Sequence, residues 1–311
     1  MPTRRQFIGG VAGAAAWAAV PGKDEISLAA WSINRSFFVN HRWTNLELPG
    51  ICRETFGIGA LEFVNQFFGN PTMSYLNQLK KNAREANVRL VRIMVDDEGN
   101  MAAADPKERM ASVIAHRKWV DIAHFLGCDD IRCNMRGGLA DWKQDKDLVK
   151  RTAESFNNLL EYAQSSGLDI IIENHGGASS DPDVLVGVMK AVNNPRFGTL
   201  PDFGNINDGD DRYEVIRRIV PYAKGVSVKA AWSADGTHPR WDLAKLIKIC
   251  QDAGFHGYWG IESNFGQPAE RGQGGRRAAA PKIPPDELWA SEVKGVMLTK
   301  EVLERVIFKK A

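Results

Sequence analysis

Eight short apolar runs recur along the 311-residue chain, at residues 26–31, 59–64, 88–95, 130–133, 168–173, 198–202, 225–229 and 258–262. Their starts lie roughly 30 to 40 residues apart, the length of one strand with its return helix. The stretches between them carry a helical period instead. Leu76, Leu79, Ala83 and Ala86 keep it, as do Val113, Val120, Ala123 and His124, then Phe156, Leu159, Leu160 and Ala163. Leu243, Leu246, Ile247 and Cys250 follow the same spacing, and a last stretch covers residues 288–306. Such alternation builds a parallel sheet, and eight units predict an α/β fold, one (β/α)8 TIM barrel over residues 26–310. No glycine fingerprint for a dinucleotide follows the first run, which argues against a doubly wound sheet. One stretch, residues 265–285, is irregular and rich in Gly, Arg, Ala and Pro. It reads either as a mobile loop on the catalytic face or as an untidy connection.

The unit at residues 170–205 is the most informative. Ile170, Ile171 and Ile172 run into Glu173, Asn174, His175, Gly176 and Gly177, so a buried strand stops at an acid. Thr199, Leu200 and Pro201 run into Asp202, Phe203, Gly204 and Asn205, closing again on a carboxylate beside a glycine. Between them Asp181 and Pro182 supply an N-cap and a first-turn proline, and Val184, Leu185, Val188, Met189 and Val192 make the apolar stripe of a helix. Hydrophobicity alone would not put a charge at the end of either strand. In parallel α/β folds, ligands gather at that edge of the sheet.

Composition narrows the partners. A formal net charge of +2, with Lys and Arg scattered, leaves no expectation of a nucleic-acid partner. Cys52, Cys128, Cys133 and Cys250 form no CxxC pair and read as reduced packing residues. At the N-terminus, Thr3, Arg4, Arg5, Gln6, Phe7 and Ile8 precede a Gly- and Ala-rich run over residues 9–20, the pattern of a twin-arginine export signal. That run is about a dozen residues, short of the roughly 20 that a membrane-spanning helix needs. Residues 1–20 are therefore expected to be a signal peptide cleaved after Ala16, Trp17 and Ala18, leaving a periplasmic or otherwise exported protein with no membrane attachment. The alternative is a chance arginine pair before a buried helix. Proteins on this route cross folded, often with a cofactor installed, which directs attention to a metal.

A closed barrel brings distant strand ends together. Glu62, Glu173, Asp202 and Glu262 each close an apolar run. Any one alone reads as a helix cap or an ion-pair partner. Four at one rim would repel one another unless a cation or shared protons neutralised them. Oxygen-rich sites suit Mg²⁺ or Mn²⁺, and an added imidazole admits Mn²⁺, Co²⁺ or Zn²⁺. No glycine-rich loop followed by Lys and Ser or Thr implies phosphate specificity.

Residues 172–177, 199–205 and 257–262 resemble the sugar phosphate isomerase/epimerase group of xylose-isomerase-like TIM barrels, whose relatives include ketose epimerases, inosose-processing enzymes and endonuclease IV-like proteins. The likeness runs from residue 26 to the C-terminus and is strongest to exported members with this kind of leader. It implies one divalent metal ion, held by a Glu after strand five, an Asp after strand six, a His on strand seven and a Glu after strand eight. Glu173, Asp202 and Glu262 match three of these. On strand seven Ser227 stands at the histidine's position. The shell would then be completed by Ser227, by water, or by His175 if the fifth strand continues far enough to share a face with Glu173. Asn205 stands where ketose epimerases carry a substrate-binding His, and Ser179 where they carry a Glu. These departures count against plain ketose 3-epimerisation and leave the metal and a carbohydrate ligand as expectations.

The chemistry implied is proton removal beside a carbonyl or hydroxyl through an enediolate, by an isomerase, epimerase or lyase of a sugar or keto-sugar. Glu173 and Glu262 would serve as base and acid. His175 and Lys229 are further catalytic candidates, although Lys229 reads equally well as the ion-pair partner of Asp202 or Glu262. Candidate substrate-binding residues are Glu62, Arg132, Asn134 and Asn205, with Arg132, Asn134 and Arg136 placed to grip hydroxyls or an anion. Trp31, Trp232 and Trp241 are candidates for stacking on a sugar ring. The chain is also compatible with a homo-oligomer. Two other functions compete: a non-catalytic carbohydrate-binding barrel, favoured by the missing histidine, and an endonuclease IV-like hydrolase. The hydrolase is disfavoured because its three-metal site is His-rich and this chain has six histidines in all. Replacing Arg4 and Arg5 together by Lys is expected to retain the protein in the cytoplasm, and unchanged export on cell fractionation would show the leader to be misread.

Overall fold

The computed structural model describes residues 23–137, 142–237, 241–266 and 283–308. The elements run β1 (Glu25–Ala29), α1 (Asn34–Asn40), α2 (Leu48–Glu54), β2 (Ala60–Val64), α3 (Met73–Glu85), β3 (Arg89–Val95), α4 (Pro106–Leu126), β4 (Asp130–Cys133) and α5 (Leu148–Ala163). Then come β5 (Asp169–Glu173), α6 (Pro182–Val192), β6 (Phe197–Leu200), α7 (Arg212–Ile219), β7 (Val226–Trp232), α8 (Leu243–Asp252), β8 (Tyr258–Phe265) and α9 (Pro285–Ile307). The strands form one eight-stranded sheet in the order β6-β5-β4-β3-β2-β1-β8-β7. Every ladder in it is parallel. Isolated parallel bridges between Thr199 and Ala223 and between Asp202 and Ser227 close the remaining seam. The expected (β/α)8 barrel is the fold.

The seam is short for a local reason. Pro201 has no N–H to add to a ladder, so β6 stops at Leu200 and Asp202 lies beyond the strand rather than within it. Pairing resumes through the backbone around it, with Ser227 N donating to Pro201 O at 2.8 Å and Phe203 N donating to Ser227 O at 3.1 Å. β7 and β8 run further than the apolar pattern indicates because they pair with each other as far as Trp232 and Phe265.

The helical stripes bury as their period requires. Leu76, Leu79 and Ala83 of α3, Phe156, Leu159, Leu160 and Ala163 of α5, and Leu243, Leu246, Ile247 and Cys250 of α8 all lie in the core. α6 starts at the expected cap, where the Asp181 side chain accepts from Asp183 N. α1 and α2 have seven residues each, too few to display a period in the sequence. α1 is held from outside: Glu292 of α9 accepts from Arg35 N at 2.8 Å and from Ser36 Oγ at 2.5 Å. The four cysteines are buried and unpaired. Among the described residues no helix is long and apolar enough to cross a membrane. The export signal expected at residues 1–20, and most of the irregular stretch at residues 265–285, lie outside the described residues.

A charged layer fills the barrel beneath its mouth. Arg92 donates to Asp130 through Nε at 2.9 Å and Nη2 at 3.0 Å, and reaches Glu62 Oε2 through Nη1 at 3.4 Å. Ser27 Oγ donates to Glu62 Oε1 at 2.5 Å. Glu62 therefore does not stand at the rim with the other acids. Its partner Ser27 is in register with Gly260, two residues before Glu262 along β8, and this puts the Glu62 carboxylate one inward-facing layer down. Glycine is required there, since a Cβ at Gly260 would fall 2.5 Å from Glu62 Oε1. Gly260→Ala is expected to destabilise the protein by about 1–3 kcal/mol, the usual cost of overpacking, because Glu62 is pinned by Ser27 and Arg92. A denaturant titration checks this, and an unchanged midpoint would contradict it.

Candidate metal centre

Three carboxylates converge at the C-terminal mouth of the barrel. Glu173 is the last residue of β5, Asp202 follows β6, and Glu262 in β8 is in register with Lys229 in β7. One oxygen from each lies within 4.8 Å of the others, and Glu173 and Asp202 are only 1% and 0% exposed. Neighbouring residues hold them there. The Asn174 amide brackets Asp202, accepting from its N at 2.7 Å and donating to its O at 2.9 Å. Asp202 Oδ1 accepts from Gly204 N at 2.8 Å and Asn205 N at 2.7 Å, and its Oδ2 accepts from Ser227 Oγ at 2.7 Å. Asn205 Nδ2 donates to Glu173 Oε1 at 2.8 Å.

Two buried cations serve this cluster. Arg132 Nε lies 2.9 Å from Glu173 Oε2, and Arg132 Nη1 lies 2.6 Å from Asp96 Oδ1. Lys229 Nζ lies 2.5 Å from Glu262 Oε1 and 3.8 Å from Asp202 Oδ2. Its stem runs across Gly204, where a Cβ would collide with it. Burial raises the pKa of Glu173 and of Asp202, with Arg132 and Lys229 opposing the rise. Burial works against the Lys229 ammonium, yet Asp202 and Glu262 more than compensate and hold it protonated. Four carboxylates thus share two cations, a formal excess of two negative charges when all are ionised. Arg132 Nε and Glu173 Oε2 are close but misaligned, so Glu173 Oε2 is a buried oxygen that accepts no hydrogen bond. An orphaned carboxylate oxygen, an all-oxygen donor set and a deficit of two positive charges fit one divalent cation.

Other candidates fall differently. Ser227 sits in the cluster, committed to Asp202 as a donor. β5 ends at Glu173, so the strand does not continue to His175, and the chain turns just beyond it at Gly176 and Gly177, both at positive φ. His175 stands exposed at the rim, outside the converging group. Desolvation of its ring, followed by the charges of Arg132 and Lys229, holds its pKa down to about 4, so the imidazole is neutral at neutral pH. Arg132 is not free to grip a substrate: it is buried between Asp96 and Glu173. Asn134 is likewise turned inward, donating to Asp96 Oδ1 at 2.5 Å. Trp232 is buried and bonds Thr299 Oγ1 at 2.9 Å, which removes it from the stacking candidates. Asp96 is the residue that sequence reading missed, although it follows an apolar run as Glu173 does.

A family model described as Xylose isomerase-like TIM barrel matches residues 52–292. No curated protein matches the sequence. Among solved structures, a D-allulose 3-epimerase from Methylomonas sp. is similar at 13% identity and a TM-score of 0.66, covering 93% of this chain and 100% of that one. A 3-keto-D-glucoside 4-epimerase from E. coli is similar at 15% identity and a TM-score of 0.64, over 89% of this chain and 100% of that one. A sugar phosphate isomerase/epimerase from Parabacteroides distasonis is similar at 15% identity and a TM-score of 0.63, over 96% of this chain and 100% of that one. At these identities the likeness establishes the fold.

The raised pKa of Glu173 has a consequence for stability. In the metal-free protein the folded state binds a proton that the unfolded chain, with carboxylates near ~4, has already released. Stability attributable to Glu173 therefore falls as pH rises through that window. Glu173→Gln keeps an acceptor for Asn205 and removes the charge. Metal-free Glu173→Gln is expected to melt above the metal-free wild type at neutral pH, with the gap closing as pH drops into the carboxylate range. Parallel melting curves at all pH values would count against this account.

Proposed function

Because the chain belongs to the xylose isomerase-like TIM barrel family, we propose that it is a divalent-metal-dependent isomerase or epimerase acting on a sugar or keto-sugar. The reaction would remove a proton beside a carbonyl and pass through an enediolate. The observation that carries this reading is the convergence of Glu173, Asp202 and Glu262 within 4.8 Å, with two negative charges left over. Glu173, Asp202 and Glu262 would hold the ion, with Ser227 or water completing the shell. Oxygen ligands without an imidazole suit Mn²⁺ or Mg²⁺ ahead of Co²⁺ or Zn²⁺. The bound ion would supply Lewis acidity, polarising the carbonyl of the substrate.

The chain's own residues supply the rest. Glu173 and Glu262 stand on different walls of the mouth, so one can take the proton and the other return one. Asn205, donating to Glu173 Oε1 at 2.8 Å, fixes the angle at which that carboxylate meets a substrate. Lys229 stays protonated between Asp202 and Glu262, so it acts as a cation that stabilises developing enediolate charge, not as a base. The structural neighbours, epimerases and an isomerase/epimerase of sugars, support a small carbohydrate substrate and an isomerase or epimerase rather than a lyase. Export by the leader at residues 1–20 remains part of the proposal.

A non-catalytic carbohydrate-binding barrel is the second reading, favoured by Ser227 at the histidine's position and by the 2.5 Å pair that ties Glu262 to Lys229. Incubating metal-reconstituted protein with a panel of sugars and 3-keto-sugars in D₂O separates the two. We expect deuterium incorporation that chelation abolishes and that Glu173→Ala and Asp202→Ala eliminate together with metal binding, while Ser227→His tightens the metal. Sugar binding without exchange would favour the second reading, and equal exchange by chelated and loaded protein would sink the metal mechanism.

A further inference from the structure

Glu173 does not have its arginine to itself. Arg132 is fully buried, and its Nη1 donates to Asp96 Oδ1 at 2.6 Å and, more weakly, to Val95 O at 3.4 Å, so Asp96 is the carboxylate that receives an aligned hydrogen bond from it. The Nε of the same guanidinium lies 2.9 Å from Glu173 Oε2 without donating to it. Asp96 follows β3 directly, is 8% exposed, and is built into the wall. Asn134 Nδ2 donates to its carboxylate at 2.5 Å. Asn65 brackets its backbone, accepting from Asp96 N at 2.8 Å and donating to Asp96 O at 2.8 Å. Burial would raise the Asp96 pKa, but Arg132 holds it down to about 2, so the group is charged at neutral pH.

An arginine given wholly to Glu173 would neutralise that carboxylate and occupy its oxygen with a charge-assisted hydrogen bond. Any cation arriving at the mouth would then meet repulsion from the guanidinium and a weakened ligand. Asp96 changes both. It accepts from Nη1 and balances the guanidinium charge, while the Nε beside Glu173 Oε2 stays misaligned, so that oxygen has a cation near it but no donor. We propose that Asp96 is a positioning residue for a divalent cation at this site, acting through Arg132 to keep Glu173 available as a ligand. The inference rests on the metal reading above and names the residue that makes an arginine tolerable beside a ligand carboxylate.

Asp96→Asn tests it, because the amide keeps an oxygen for Arg132 and Asn134 and removes only the charge. Mn²⁺ binding to the metal-free full chain is measured by calorimetry and by the electron paramagnetic resonance signal of the free ion, with circular dichroism as the folding control. We expect Asp96→Asn to weaken Mn²⁺ binding about tenfold or more, the range in which groups behind metal ligands act. Asp97→Asn is the control: the Asp97 carboxylate is exposed and paired with Arg136 at 2.6 Å, and removing a solvent-screened charge should change affinity by about twofold or less. Asp96→Asn combined with Arg132→Gln removes both charges of the pair and should recover binding relative to the single variant. An Asp96→Asn protein that binds as tightly as wild type, or no more weakly than Asp97→Asn, overturns the inference. A double variant as weak as the single does so too. If Asp96→Asn does not fold, the double variant decides alone, with retained Mn²⁺ binding in support and lost binding against. Wild-type protein that binds no Mn²⁺ overturns the metal reading and this inference together, whereas wild-type binding with an unaffected Asp96→Asn overturns this inference only.

Discussion

Three carboxylates with oxygens within 4.8 Å of one another repel unless cations or shared protons are brought to them. Much of the local architecture answers that demand. Lys229 is threaded between Asp202 and Glu262, which requires Gly204 to carry no side chain. Arg132 approaches Glu173 from β4 but is shared with Asp96. Asn174, Asn205, Gly204 and Ser227 aim donors at Asp202 or its backbone and at Glu173, fixing the acids in place without cancelling their charge. Two negative charges remain, and that remainder sets this mouth apart from an ordinary internal salt-bridge network.

The layer beneath is the instructive contrast. It also holds more acids than bases, with Glu62 and Asp130 around Arg92. Burial pushes Asp130 up to about 7 despite Arg92. Yet each of its carboxylate oxygens has a donor: Arg92 takes both of Asp130 and one of Glu62, and Ser27 takes the other. Gly260 and Gly225 let these side chains pack against backbone so closely that a Cβ at either would collide with Glu62 or Arg92. The lower layer is therefore closed in hydrogen bonds and in volume, and it serves the barrel. In the upper layer Glu173 Oε2 is a buried oxygen that accepts no hydrogen bond, so the layer is not closed in the same way.

Much of the candidate site was legible before any coordinates. An acid that ends a run of isoleucines, as Glu173 does, is costly unless the strand ends at a site, and the same logic picked out Asp202 and Glu262. The logic failed where side-chain direction matters. Glu62 ends a similar run, but it points into the barrel below the rim, toward Ser27 and Arg92. His175 is two residues from Glu173, yet β5 ends at Glu173 and His175 is not among the converging ligand atoms. Asp96 obeys the same rule, following the apolar run at residues 88–95.

By itself the sequence determined the barrel, because eight apolar runs at one spacing, separated by helical periods, leave few other ways to bury the apolar faces. It also picked out the acids that close the apolar runs of strands five, six and eight. Only the tertiary structure decided how charge is divided among them. Ion pairing depends on distances of a few ångströms between side chains far apart in the chain, and no periodicity records those. Arg132 reads in the sequence as a residue free to hold a substrate. Packed between β3 and β5, it becomes the counter-ion of Asp96 and Glu173, and a buried charge goes to whichever carboxylates the fold brings within reach.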